Sequence, residues 1–546
     1  MTAAHALAQP FGTLPDLIRM QAERDPRHVA LVHEGRALDY GGLDALVDRI
    51  AAALQRDGLG PGDAIALCGA NSIPYAAVFL GGLRAGVAVA PLAPSSTAES
   101  LAAMVADAGA RHFFIDAAAA TTIEPVLERI TARRIEIKGS DSFIHARDDL
   151  PPRMKESDPF ITWLGEAEAK PRPVAIRPDA PFNIIYSSGT TGTPKGIAQP
   201  NAMRWAHLQR GPAYGYSTDT VTLISTPLYS NTTLVCFFPT LALGGTVVLM
   251  TKFDAAGYLA LAQQHRVTHT MLVPVQYQRI MALADFGRHD LSSFRVKFST
   301  SAPFAAALKA DVLERWPGAL IELYGMTEGG GTAILVAHEH PDKLHTVGQP
   351  APGHDMRLID DEGTEVPQGT AGEVVGHSPG MMTGYHNQPA MTAAAEWFDA
   401  AGKRFIRTGD IGRFDDDGFL VLLDRKKDMI ISGGFNIYPS DLEGVLASHP
   451  DVAEVAVVGV PSTQWGETPV AFVVPKSASI DAGSVLQWAN LRLGKVQRLA
   501  ALQIVESLPR SGIGKVLKRE LRERYRSAGA ARSSASGAST SAVSRR

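Results

Sequence analysis

Residues 186 to 196 read Tyr-Ser-Ser-Gly-Thr-Thr-Gly-Thr-Pro-Lys-Gly and follow at once on the apolar run Phe182 to Ile185. A short strand that empties into glycines, hydroxyls and one lysine restricts the fold, because the run must lie in a sheet whose end carries an anion cradle. Glycines let backbone N–H groups converge on an anion, Ser and Thr hydroxyls add donors, and Lys195 adds a mobile positive charge. The phosphates of ATP, or of a similar molecule, are therefore the first ligand to test. The P-loop of the common NTPases needs a Gly-Lys-Ser/Thr ending; Lys195 is preceded by Pro194 and followed by Gly196, which excludes it. On composition alone the stretch is also compatible with a plain surface loop joining a strand to a helix.

The rest of the chain supplies the sheet. Thr13-Leu-Pro-Asp offers an N-cap with proline at the helix start, and a second helix is predicted from about Leu43 to Leu54, stopping at Gly58. Strand candidates then alternate with helical patterns: Ala64 to Leu67, Thr246 to Met250, Thr270 to Val273, Arg295 to Phe298 and Leu320 to Tyr324. That alternation predicts an α/β fold with largely buried sheets flanked by helices. With 546 residues, 45% hydrophobic and 20% charged, the chain is too long for one core, and two or more domains are expected.

Several function classes drop out. A net charge of −4 gives no electrostatic footprint for nucleic acid. The most apolar stretch, Ala76 to Val89, carries Arg84 and glycines and is too short to span a bilayer, so it predicts a buried helix followed by a strand. The N-terminus lacks a basic segment followed by an apolar core, which reads as a cytoplasmic protein without a signal peptide. Cys68 and Cys236 sit in apolar surroundings and suit reduced core thiols better than a disulfide or a metal framework.

The texture changes near residue 424. Asp415-Asp-Asp-Gly418 is a turn signal between short strands, and Asp424-Arg-Lys-Lys-Asp428 is a basic run leading into Met429-Ile-Ile. Ser440 and Glu443 form an S-x-x-E capping box for a helix ending before Pro450, and Val455 to Val460 and Val470 to Val474 are strands. The expected domains are 1–424, a small α+β domain over 425–526, and a disordered Ser/Ala/Arg tail over 527–546.

Three further motifs are weak singly. Tyr324-Gly-Met-Thr-Glu328 puts an aromatic, a hydroxyl and a carboxylate at a sheet end, although Tyr324 could be a half-buried core residue. Arg407-Thr-Gly-Asp410 could be a plain turn, and Leu508 to Lys515 a Gly-rich hairpin with a solvated lysine. In order and spacing with residues 186–196, however, they resemble the successive signatures of the adenylate-forming superfamily, in its acid-CoA ligase branch. Asp424 to Asp428 with Ser432-Gly433-Gly434 adds a further match, and the resemblance covers residues 12 to about 525.

The resemblance implies ATP, Mg²⁺ and coenzyme A as cofactors, a carboxylic acid as substrate, and a large N-terminal domain with a small mobile C-terminal one. Ser187, Ser188, Gly189, Thr190, Thr191, Gly192 and Lys195 would form the phosphate cradle, with Thr190, Thr191 and Lys195 on the β- and γ-phosphates. Lys515, Thr327 and Glu328 would be catalytic: Lys515 on the charge of the α-phosphorus transition state, Thr327 donating to the α-phosphate, Glu328 as the Mg²⁺ ligand. Tyr324 would stack on adenine beside Gly325, Ser301-Ala302-Pro303 would line the other side of the base, and Asp410 would accept from both ribose hydroxyls, with Arg425 close to the same nucleotide. Lys427 occupies the hinge position, with a solvated basic linker as the plain alternative. Gly433 and Gly434 would admit pantetheine, and Trp465 either packs against CoA or belongs to the core.

Two departures bear on substrate and acceptor. Where many acid-CoA ligases carry an aromatic-His pair after Pro-Leu, this chain has Tyr229-Ser230-Asn231, and Ser462 stands where an aspartate is common. Tyr229, Ser230, Asn231, Thr232, Gly329, Gly330 and Gly331 are expected to border the acid. With Arg204 as the only loose cationic candidate, the expected acid is a neutral aromatic or medium-chain aliphatic monocarboxylate. A stand-alone adenylating enzyme that loads a carrier protein, a non-catalytic nucleotide-binding homologue, and a monomer or homodimer remain open alternatives.

Overall fold

The computed structural model describes residues 3–137, 159–187, 195–432, 435–476, 480–494, 497–511 and 514–527. The chain divides into two compact units, Met1–Met356 with Val375–Thr408, and Arg357–Val374 with Gly409–Arg546.

Two sheets carry the first unit. One has seven strands in the order Gly384–Tyr385, Lys195–Pro200, Pro181–Ser187, Ala88–Leu92, Ala64–Cys68, Ala110–Ile115, Arg133–Glu136. Its middle is parallel and its strands Ala64–Cys68 and Ala88–Leu92 are buried at every position, which is why they read as continuous apolar runs instead of alternating ones. Helix Ile73–Arg84, N-capped by Ser72, is likewise buried along its length and is separated from strand Ala88–Leu92 by three residues, as the Ala76 to Val89 stretch predicts. The other sheet has nine strands, parallel at its centre and closed at one end by the antiparallel strands Thr332–Val336 and Gln349–Pro350 beside Ala319–Gly325.

Local signals are met in detail at several points. Thr13 caps helix Leu14–Arg24, its Oγ1 accepting from the Asp16 N–H at 3.3 Å. The helix predicted over 43–54 runs from Tyr40 to Arg56, because Asp39 caps it three residues earlier than the apolar period begins. Cys68 and Cys236 are buried free thiols, and burial raises both to about 12. No helix among the described residues is long and apolar enough to cross a membrane.

The second unit is built on the hairpin Val452–Ser462 and Gly466–Pro475, flanked by Ile430–Ser432, Phe435–Ile437 and the parallel strand Ala501–Ile504. Helices Pro439–Ala447 and Ala482–Asn490 cover one face, enclosing Ile430, Leu442, Leu446, Val457, Val473 and Val485 in a core of the unit's own. The capping box is a correction. Tyr438 is the N-cap, with no side-chain cap bond, while Ser440 lies inside the helix and donates to the Leu423 carbonyl. Glu443 accepts from the Val457 N–H and pairs with Lys518, so a tertiary contact has taken the carboxylate that a box would need.

Candidate active site

The phosphate-loop strand Pro181–Ser187 pairs antiparallel with Lys195–Pro200, setting Ser187 opposite Lys195 at the sheet end. Ser188, Gly189, Thr190, Thr191 and Gly192 lie outside the described residues, as do Gly433 and Gly434. What is described is the lysine's destination. Lys195 Nζ lies 3.4 Å from Glu328 Oε1 and 4.1 Å from the centre of the Tyr385 ring. Tyr385 donates its hydroxyl to the same Glu328 oxygen at 2.8 Å. Burial and the neighbouring carboxylate push that phenol upward, so it stays a protonated donor.

Glu328 is itself buried, and its backbone carbonyl accepts from the Met382 N–H at 2.8 Å. A single hard carboxylate with a cation beside it suits Mg²⁺, which binds through one or two carboxylates and leaves the rest of its shell to water and phosphate oxygens. Among the described residues there is no group of three or more His, Cys, Asp or Glu placed to hold a metal, as a closed structural site would need.

Strand Ala319–Gly325 delivers Tyr324 half-buried and Gly325 exposed, paired with Ala333 and Thr332. Beyond it the chain turns sharply. Gly329 has φ +76°, and a Cβ there would stand 2.1 Å from the Gly380 oxygen; its own carbonyl accepts from the Ser378 hydroxyl at 2.7 Å. Gly331 also has positive φ, so the three glycines are held by close backbone packing. Ser301, at φ +78°, ends strand Val296–Thr300, and its hydroxyl meets that of Thr232 at 2.5 Å, joining two segments predicted separately. Ala302 is half-buried and Pro303 exposed.

Tyr229 is half-buried, its hydroxyl pushed up by burial against an opposing hydrogen bond from Ser95. Ser230 is buried at the start of helix Asn231–Ala242, where its side chain makes no cap bond. Arg204 is enclosed: it donates to Asn183 Oδ1 at 3.2 Å and to Gln199 Oε1, with its guanidinium near the Phe182 and Phe238 rings. Burial lowers it to about 9.

The remaining candidates belong to the second unit. Arg425 Nε lies 3.2 Å from Asp410 Oδ1, the two residues facing each other across paired strands. Lys427 is exposed in the turn after Arg425, where Asp428 and Met429 donate to the Arg425 carbonyl. Trp465 is 51% exposed between the hairpin strands, so it is not a core residue. Lys515 is half-buried in a turn that exchanges backbone bonds with Ser511 and is braced by Arg510, which donates to Gly514 and pairs with Glu454. Sequence reasoning missed Tyr385, Gln199 and Asn183. Tyr385 stands in a two-residue strand with no periodicity to mark it, and Gln199 and Asn183 look like interruptions of apolar strands.

Comparison with known proteins agrees with this geometry. The AMP-binding enzyme family matches residues 18–386, and the AMP-binding enzyme C-terminal domain matches residues 441–515. A feruloyl-CoA synthase of Amycolatopsis sp is 33% identical over 510 residues, covering 92% of this chain and 97% of the relative. A fatty acid–[acyl-carrier-protein] ligase of Streptomyces coeruleorubidus is 31% identical over 531 residues, covering 94% and 96%. ATP-bound MatB from Rhodopseudomonas palustris superposes with a TM-score of 0.82 at 28% identity, covering 94% of this chain and 99% of that one. The chain therefore belongs to the AMP-binding enzymes, the adenylate-forming superfamily that its loop, its Tyr-Gly-Met-Thr-Glu segment and its C-terminal lysine resemble.

Proposed function

We propose that the protein is an AMP-forming acid-CoA ligase. A carboxylate resists acyl transfer because its leaving group would be oxide. In the first step a carboxylate oxygen attacks the α-phosphorus of ATP, the bond from that phosphorus to the pyrophosphate oxygen breaks, and pyrophosphate leaves. In the second the CoA sulfur attacks the acyl carbon, the C–O bond to AMP breaks, and the thiol proton is released to solvent. The observation that carries the reading is the buried Glu328, held by Tyr385 and facing Lys195 at the end of the phosphate-loop strand.

Each residue has a task. Lys195 with Thr190 and Thr191 would bind the β- and γ-phosphates, and Thr327 would donate to the α-phosphate. Glu328 would hold Mg²⁺, which when bound supplies positive charge for the phosphate oxygens. Asp410, paired with Arg425 at 3.2 Å, would accept from both ribose hydroxyls, and Tyr324 would stack on adenine. Lys515 would meet the charge that develops on the α-phosphate. Lys427, exposed inside the second unit, would be the hinge that lets the part beyond it serve both steps, and the exposed Trp465 suits a pantetheine contact. A neutral aromatic or medium-chain monocarboxylate is the favoured acid, since Thr232 and Ser301 offer uncharged hydroxyls and Arg204 is already engaged by Asn183 and Gln199.

Pyrophosphate exchange into ATP without CoA, across an acid panel, tests the first step; thioester formation with CoA tests the second. No exchange with any acid of the panel would sink the reading. The carrier-protein relative favours one alternative, a ligase that loads a carrier's phosphopantetheine. Thioester on a carrier and none on CoA would select it.

A further inference from the structure

We infer that Arg204 and Gln199 form a buried positioning relay that sets the Thr327–Glu328 turn and the Asn231 side chain for the adenylation step. The inference rests on the proposed ligase reading. Asn183 and Gln199 are opposed across the antiparallel pair Pro181–Ser187 and Lys195–Pro200, and both are fully buried. Arg204, on the helix Asn201–Gln209 that follows, reaches both amide oxygens. Gln199 then donates from Nε2 to the Thr327 carbonyl at 2.6 Å and lies 3.5 Å from Asn231 Oδ1.

The orientation of the Gln199 amide is dictated by this geometry. A guanidinium has only donors, so the amide group facing it must be the oxygen, which accepts from Arg204. The NH₂ group must then face Thr327. Rotated by half a turn, Gln199 would set NH₂ against guanidinium and oxygen against the Thr327 carbonyl, losing two bonds and gaining two repulsions. A donor polarised by the cation behind it also holds the Thr327 carbonyl more firmly than a neutral amide would. That carbonyl belongs to the residue before Glu328, whose side chain faces Lys195.

The arrangement is expensive as mere packing. Arg204 Nη1 and Asn183 Nδ2 are buried without a hydrogen-bond partner, and apolar residues of similar volume would avoid both penalties. A role in holding the turn accounts for keeping a charge there.

The test compares Gln199→Glu, Arg204→Leu and Arg204→Lys with the wild type. Gln199→Glu keeps the partner of Arg204 and the side-chain volume but puts an acceptor against the Thr327 carbonyl. Hydrogen exchange of residues 325–331 is expected to quicken about tenfold, while the thermal midpoint moves by less than about 5 °C. Pyrophosphate exchange is expected to fall about 10–100-fold in kcat, with KM for ATP within about threefold. Arg204→Lys, which restores a donor, is expected to recover part of what Arg204→Leu loses. Should Arg204→Leu fail to fold, Gln199→Glu alone decides. Unchanged exchange of residues 325–331 in Gln199→Glu overturns the inference, as does quickening spread evenly over the first unit. If the wild type exchanges no pyrophosphate with any acid while Gln199→Glu still shows the local quickening, the ligase reading sinks and the relay stands.

Discussion

Lys195 and Lys515 carry the same charge at opposite kinds of site. Lys195 begins an otherwise buried strand, with its ammonium against a buried carboxylate and the face of a tyrosine. Lys515 stands in a short turn braced from below by Arg510 and Glu454, on a unit with its own core. On the proposed function the difference would separate two jobs: a clamp for a bound phosphate gains from fixed neighbours, whereas a group that serves one of two steps is better carried on a small, separately packed unit. Removing each lysine tests the division. Lys515→Ala is expected to lower acid-dependent pyrophosphate exchange by about 10²–10³, the usual loss of one transition-state donor, with no change in thermal midpoint. Thioester formation from supplied acyl-adenylate and CoA should persist. An unaltered exchange rate would end the contrast.

Glu328→Gln attacks the static side. It keeps an acceptor for Tyr385 but leaves Lys195 without its counter-charge and weakens the hard-cation ligand. The expected loss is about 10²-fold at ordinary Mg²⁺, recovered in part at higher Mg²⁺, which a titration of initial rate reads directly. A loss that Mg²⁺ does not relieve would assign Glu328 to shaping the turn alone.

Glycines give a smaller, purely structural version. Gly329 and Gly466 both have positive φ, but a Cβ would stand 2.1 Å from the Gly380 oxygen at Gly329 and 3.7 Å from the Ile431 oxygen at Gly466. Gly329→Ala is expected to destabilise by about 2–4 kcal/mol, adding a steric clash to backbone strain. Gly466→Ala should cost about 1–2 kcal/mol, from strain alone. Denaturant midpoints of the two variants compare them, and equal losses would show that the hairpin turn at Gly466 is packed as tightly as the turn near Glu328.

The same division decides what could be read from the chain. Contiguous features were legible: the strand that opens into the phosphate loop, the Thr13 cap, and the buried run that becomes helix Ile73–Arg84 and strand Ala88–Leu92. The partners that give Glu328 its surroundings were not, because Lys195 and Tyr385 reach it from distant segments by way of sheet pairing. Gln199 was invisible for a related reason: a polar residue in a buried strand looks like a flaw until Arg204 and the Thr327 carbonyl are beside it. The capping box failed from the opposite cause, since Ser440 and Glu443 have the right spacing but stronger partners elsewhere in the second unit.

Acid should separate the units by the smallest of these effects. In the first unit burial pushes Asp57 up, but hydrogen bonds from His112, Trp163 and Arg56 outweigh it and bring the carboxyl from 3.8 to about 2. Asp48 is lowered in the same sense, burial being outweighed by Lys170, Arg84 and Arg19. A carboxyl depressed in the fold stabilises it above its unfolded value and loses that contribution as pH falls through the folded one, here between about 4 and about 2. In the second unit burial raises Asp424, against Lys518, and Asp441, against Arg413. A raised carboxyl works the other way: its contribution is present at low pH and lost as pH rises through the folded value. Lowering the pH from 6 toward 3 is therefore expected to loosen the surroundings of Asp57 while relieving those of Asp424. Pulsed hydrogen exchange at stepped pH reads both, with Asp57→Asn as control. That variant should cost about 1–3 kcal/mol at neutral pH and flatten the acid response of the first unit alone. If the second unit loosened first, the carboxylates would not be what distinguishes the two cores.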